Sequence, residues 1–138
     1  MPPRTTMTLI PTLLAVAALA SCAQAPKPQP DLRYPAPQTS SLDIQLRRHD
    51  ETQVTLVNTS ARAFPAATLW INAQFARDIP PLAVGQSATF DLYTFRNEYG
   101  ESFRAGGFFS TERPDTVVLA QLAVANELIG LTVVNGKP

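Results

Sequence analysis

The 138-residue chain has little of the chemistry that most enzymes and metalloproteins use. It contains one cysteine, Cys22, and one histidine, His49. A lone cysteine cannot form an internal disulfide, and these two residues cannot supply the four protein ligands of an ordinary metal site. Neither sign of charge is in excess, because 11 Lys+Arg balance 11 Asp+Glu. A chain without a basic footprint is not expected to bind nucleic acid. There is no G-x-S-x-G and no phosphate-cradling glycine loop. His49, the one base of the usual catalytic kind, sits in the polar run Arg48-His49-Asp50-Glu51 and reads as a solvated turn residue. Two acid pairs, Glu98/Glu101 and Glu112/Asp115, flank glycine and proline turns. Their spacing matches no calcium loop, and a domain this small offers little cleft for a glycosidase. No catalytic residue, metal or cofactor is expected, and a small hydrolase ranks third among the readings below.

Long apolar runs are also missing. From Leu9 to Ala20 the chain is apolar except for Thr12, with Pro11 inside the run, but those twelve residues fall short of a membrane span. Arg4 precedes the run and small residues follow it, which is the pattern of a secretory signal. At its end, Leu19-Ala20-Ser21-Cys22 resembles the lipobox of bacterial lipoproteins: an aliphatic residue, a small residue, Gly/Ala/Ser, then Cys. The resemblance implies that residues 1–21 are a cleaved signal peptide. It also implies that Cys22 becomes the lipidated first residue of the mature chain, with a covalent lipid in place of a cofactor. Membrane attachment would then run through acyl chains, each contributing about 0.8 kcal/mol per buried CH₂. The same resemblance implies that Ala23, where Asp would suggest retention in the inner membrane, favours the outer membrane facing the periplasm.

Proline is plentiful, and the excess is local. Residues 22–41 are expected to form a linker, with five prolines between Ala23 and Ser41. Proline lacks a donor and fixes φ, so neither helix nor ladder propagates there, and extended polyproline-type conformers are favoured.

Residues 42–138 read as an all-β domain, because the dominant hydrophobic period is two. Leu42, Ile44 and Leu46 alternate with Asp43, Gln45 and Arg47, and Val54 and Leu56 continue the pattern after a polar turn, giving a first hairpin. A second hairpin is expected around Asn72-Ala73, since Asn tolerates positive φ. Ala88, Phe90 and Leu92 form the next alternating run. The stretch 117–124 could be helix or strand, and its β-branched start followed by Asn126-Glu127 and the run Leu128 to Val134 favours a final hairpin. Seven or eight short strands predict an antiparallel β-sandwich.

Two phrases, Val54-Thr55-Leu56-Val57-Asn58-Thr59-Ser60 and Leu82-Ala83-Val84-Gly85-Gln86-Ser87, resemble bacterial immunoglobulin-like domains of the cell-adhesion-related type. The resemblance covers roughly Leu42 to Phe95 and implies an extracytoplasmic accessory or adhesive module.

Aromatic residues are unevenly spread. Seven of eleven lie between 90 and 109, which makes that stretch the candidate binding region. If Phe90 and Leu92 point inward, alternation sends Tyr93 and Phe95 outward. With Tyr99, with Trp70 on the face opposite Leu69 and Ile71, and with Arg96 and Arg104 nearby, they would form an exposed surface of the type enriched at interfaces. The competing expectation is that the loop folds back and buries these rings as a second small core. The leading functional expectation is a lipid-anchored, non-enzymatic envelope module that engages an envelope protein partner. The alternative is a carbohydrate-binding or adhesive domain that stacks sugars on rings such as Trp70 and Tyr99.

Overall fold

The computed structural model of the chain describes residues 32–35, 37–48 and 50–135. Cys22, the lipobox residues Leu19, Ala20 and Ser21, and His49 lie outside the described residues. Seven strands follow in order: β1 (Ser40–Arg48), β2 (Gln53–Asn58), β3 (Ala67–Ile71), β4 (Phe75–Ile79), β5 (Ser87–Asp91), β6 (Ala120–Val124) and β7 (Glu127–Asn135), with one 3₁₀ turn at Leu92–Thr94. The domain is all-β, as the period-two pattern predicts. β1 begins at Ser40, two residues inside the stretch assigned to the linker.

The strands form one mixed sheet in the order β4-β3-β6-β7-β1-β2-β5. Neighbours are antiparallel except β1 and β7, which run parallel with Leu46 opposite Val133. The sheet curls until its two ends meet. Ala76 of β4 exchanges backbone hydrogen bonds of 2.8 and 3.0 Å with Arg96, just beyond β5. The guanidinium of Arg77 on β4 stacks over the Phe90 ring of β5 at 4.9 Å. A strongly twisted sheet that curls this way encloses a core and shields its edges.

Alternation explains which side chains fill that core. Ile44 and Leu46 of β1, Val54 and Leu56 of β2, Leu69 and Ile71 of β3, and Leu122 of β6 are all buried in a single cluster, with Phe103 and Val117 supplied by the long connection. Burying a side chain of this class contributes about 1.5–3 kcal/mol. All three expected hairpins are present, as β1–β2, β3–β4 and β6–β7. The β3–β4 turn places Asn72 and Ala73 at φ 53° and 55°, the left-handed region that Asn tolerates. The β6–β7 turn is tight, so 117–124 resolves as coil entering a strand.

A second, smaller cluster lies on the outer face, where Trp70, Ala76 and Leu128 are buried together and Leu32 packs against them. Residues 32–35 and 37–39 lie as a strap across β3, β6 and β7. Tyr34 meets Trp70 edge-on at 5.4 Å and donates to Gln121 Oε1 at 2.5 Å. Gln121 in turn donates to Gln38 Oε1 at 3.0 Å, and the Thr39 amide donates to the Leu128 carbonyl. Gly130 makes room for Gln38, since a Cβ there would lie 2.4 Å from Nε2.

Candidate interaction surface

The connection between β5 and β6 runs from Leu92 to Leu119 and folds over one end of the curled sheet, beside the β1–β2 and β3–β4 turns. Asp91 caps the 3₁₀ turn by accepting from the Tyr93 amide at 2.9 Å. That turn breaks the strand's alternation, which corrects one expectation: Phe95 swings inward and is fully buried. Tyr93 remains 43% exposed, and its hydroxyl donates to the Gly106 carbonyl.

Asn97 organises the next bend. It is buried, its amide group donates to Glu101 Oε2 at 2.6 Å, and its carbonyl oxygen accepts from the amides of Tyr99 and Glu101. The bend carries Tyr99, 77% exposed, at its tip. A hydrogen bond to Glu98, and the charge of that carboxylate, hold the Tyr99 phenol above the usual tyrosine range. The chain then returns to the core through Phe103, which meets Phe75 edge-on at 5.3 Å.

Two polar residues on the strands hold the rest of the connection in place. Arg48, at the end of β1, donates to four backbone carbonyls: Asp50, Glu51, Ala105 and Asp115. Asn72 donates to the Thr116 carbonyl and accepts from the amides of Val118 and Leu119. Between these anchors a loop projects. Gly106 and Gly107 have φ of 93° and 122°, and a Cβ on Gly106 would lie 2.8 Å from Pro114 Cβ. Beyond them stand Phe108 and Phe109, 95% and 92% exposed, touching each other edge-on at 5.1 Å.

Trp70 does lie opposite Leu69 and Ile71, but the strap covers it and leaves 4% exposed. This is the second correction: Trp70 cannot stack on a sugar while Tyr34 lies against it. Arg96 is half-buried and pairs with Ser102, so it belongs to the seam of the sheet. Arg104 is exposed and forms ion pairs with Asp115 at 3.2 Å and Glu112 at 3.4 Å. Those two carboxylates, Asp115 first, raise its pKa further above the ordinary arginine value. A polar groove of about 580 Å³ lies alongside, lined by Asn72, Phe75, Glu101, Arg104 and Asp115 among others. Among the described residues no group of three or more His, Cys, Asp or Glu could hold a metal ion.

Of the six expected surface residues, the structure brings Tyr93, Tyr99 and Arg104 to the exposed end and withdraws Trp70 and Phe95. The sequence reading missed Phe108 and Phe109 as surface residues. Their signal was present, since two apolar rings follow two glycines in a loop with no strand alternation to bury them. It also missed the strap, whose signal was Leu32 and Tyr34 inside an otherwise polar, proline-rich stretch. Comparison with protein-family models, curated proteins and solved structures finds no match to this chain.

Proposed function

We propose that this chain is an exported, lipid-anchored protein of the cell envelope whose β-domain acts as a non-enzymatic interaction or accessory module. The observation that carries the reading is Leu19-Ala20-Ser21-Cys22, with the chain's single cysteine at the position that lipoproteins acylate. Cys22 holds the covalent lipid, and residues 1–21 are removed as its signal peptide. The absence of Asp at position 23 favours the outer membrane, with the domain facing the periplasm. The immunoglobulin-like phrases belong to the same proposal, as the mark of an extracytoplasmic accessory domain.

The exposed rings at one end of the domain support binding as its mode of action, because contiguous exposed apolar groups mark contact sites. The envelope partner would meet Tyr93 and Tyr99, which stand exposed at that end. The test is fractionation of cells that express the full chain or its Cys22→Ser variant. The natural chain is expected in the membrane pellet with acyl mass on Cys22, and the variant in the soluble fraction. A variant that stays membrane-bound overturns the anchor.

A further inference from the structure

We propose that the Phe108–Phe109 loop is a second membrane contact, a small apolar wedge that enters the bilayer to which Cys22 is anchored. This rests on the lipid-anchor reading above. Three observations point to a bilayer as the occupant.

The first is the loop's composition. From Ala105 to Thr111 there are seven uncharged residues, and charges flank them: Arg104 on one side, Glu112 and Arg113 on the other. An apolar tip above a charged collar suits an interface between hydrocarbon and headgroups, where arginine stems can lie along the boundary with their charged ends in water.

The second is that the tip is presented rather than loose. Its base is held by Arg48 on the carbonyls of Ala105 and Asp115, by Glu51 accepting from the Gly107 amide at 3.1 Å, and by the Asp115 amide on the Arg104 carbonyl at 2.8 Å. The Ser110 amide closes the turn on the Gly107 carbonyl at 2.9 Å. Little ordering cost therefore remains for insertion.

The third is where the anchored end of the chain leaves the domain. Read backwards, the strap runs from Thr39, on Leu128 beside the β6–β7 turn, to Tyr34, on Trp70 and Gln121 nearer the β3–β4 turn, and so toward the end that carries the loop, with Leu32 packed on the same outer cluster. Cys22 lies ten positions before Leu32, and ten residues span at most about 33–36 Å. That length keeps the loop end within reach of the bilayer at high effective concentration, whereas a soluble partner must arrive by diffusion. The collar's charges are mixed and largely paired with one another, so hydrocarbon burial and not charge attraction drives the contact.

The test uses the acylated protein purified in detergent and reconstituted into phosphatidylcholine vesicles. Cys22 is consumed by its lipid, so a nitroxide attaches only to an introduced thiol. Thr111→Cys places it beside the wedge, and Val84→Cys places it in an exposed turn at the opposite end. The Thr111 label is expected to be accessible to oxygen and shielded from a water-soluble nickel chelate, and the Val84 label to be open to both. Changing Phe108 and Phe109 together to Ser should return the Thr111 label to water while the protein stays on the vesicles. Two rings partitioning together correspond to a shift on the order of a hundredfold in loop occupancy at the bilayer.

A water-exposed Thr111 label on protein whose Cys22 carries lipid by mass overturns the wedge and leaves the anchor standing. Dipolar broadening between labels overturns it by assigning the rings to self-association. Shielding that appears only when phosphatidylglycerol is added, and vanishes in salt, overturns it in favour of the arginines. Cys22 without lipid overturns the anchor and the wedge together.

Discussion

Asn58 shows what a single buried amide can do in this domain. It is fully buried at the end of β2, where its amide group donates to the carbonyls of Arg62 at 2.8 Å and Ala83 at 3.1 Å. Its oxygen accepts from Ser60 through both the amide and the hydroxyl. Asn58→Ala removes all of these partners and leaves buried backbone groups unsatisfied, so unfolding should become easier by about 2 kcal/mol or more. Thermal or denaturant unfolding of the domain checks this, and a loss near zero would mean that water replaces the amide. The same geometry leaves no room for a glycan on Asn58, although Asn58-Thr59-Ser60 formally matches a sequon. At the surface, Tyr99 offers a local titration. Glu98 holds its phenol above the usual range, so Glu98→Gln should lower the alkaline midpoint of that tyrosine, read by difference absorbance at alkaline pH. An unchanged midpoint would place the two side chains apart. Phe95 shows where residue-level reading fails. Period-two alternation assigned it outward, and three residues of 3₁₀ turn, with Asp91 as the cap, rotated it into the core.

Among the elements, the strap that carries Leu32, Tyr34 and Gln38 changes most between sequence and structure. Five prolines describe a linker, and composition carries no information about what Leu32 and Tyr34 meet. The partner is Trp70, whose outward placement on β3 follows from alternation, while its burial depends on a segment more than thirty residues upstream. Tyr34→Ala removes the edge contact and the hydrogen bond to Gln121 together. The single tryptophan should then emit further to the red and be quenched more readily by acrylamide, with little loss of cooperative unfolding, because the strap lies outside the main core. Unchanged emission would show that Leu32 and Gln38 suffice to keep it covered. The hairpins were legible for the opposite reason, since alternation and turn residues are local properties. Asn72-Ala73 adopts the positive φ that its asparagine suggests. The exposure of Phe108 and Phe109 was half-legible: the glycines mark a loop, but only the fold decides that it projects.

At the scale of the whole molecule, the all-β class followed from periodicity, whereas the strand order did not. Nothing local in β1 or β7 announces that they lie side by side in parallel, because such pairing depends on long-range closure. A chain ending at Ala125 lacks β7 and with it the partner of β1 and the hinge between the two halves of the sheet. It should show no cooperative unfolding transition and should be digested rapidly by protease, and a protected truncated chain would show that the remaining pairs suffice. The parallel pair also bears on timing. The first strand to emerge during synthesis is hydrogen-bonded to the last, nearly the full length of the domain away, and such non-local closure slows folding. The nascent chain therefore cannot close its sheet before β7 has been made. Under the export proposed above, this arrangement would act as a built-in delay, keeping the chain threadable until β7 has been delivered.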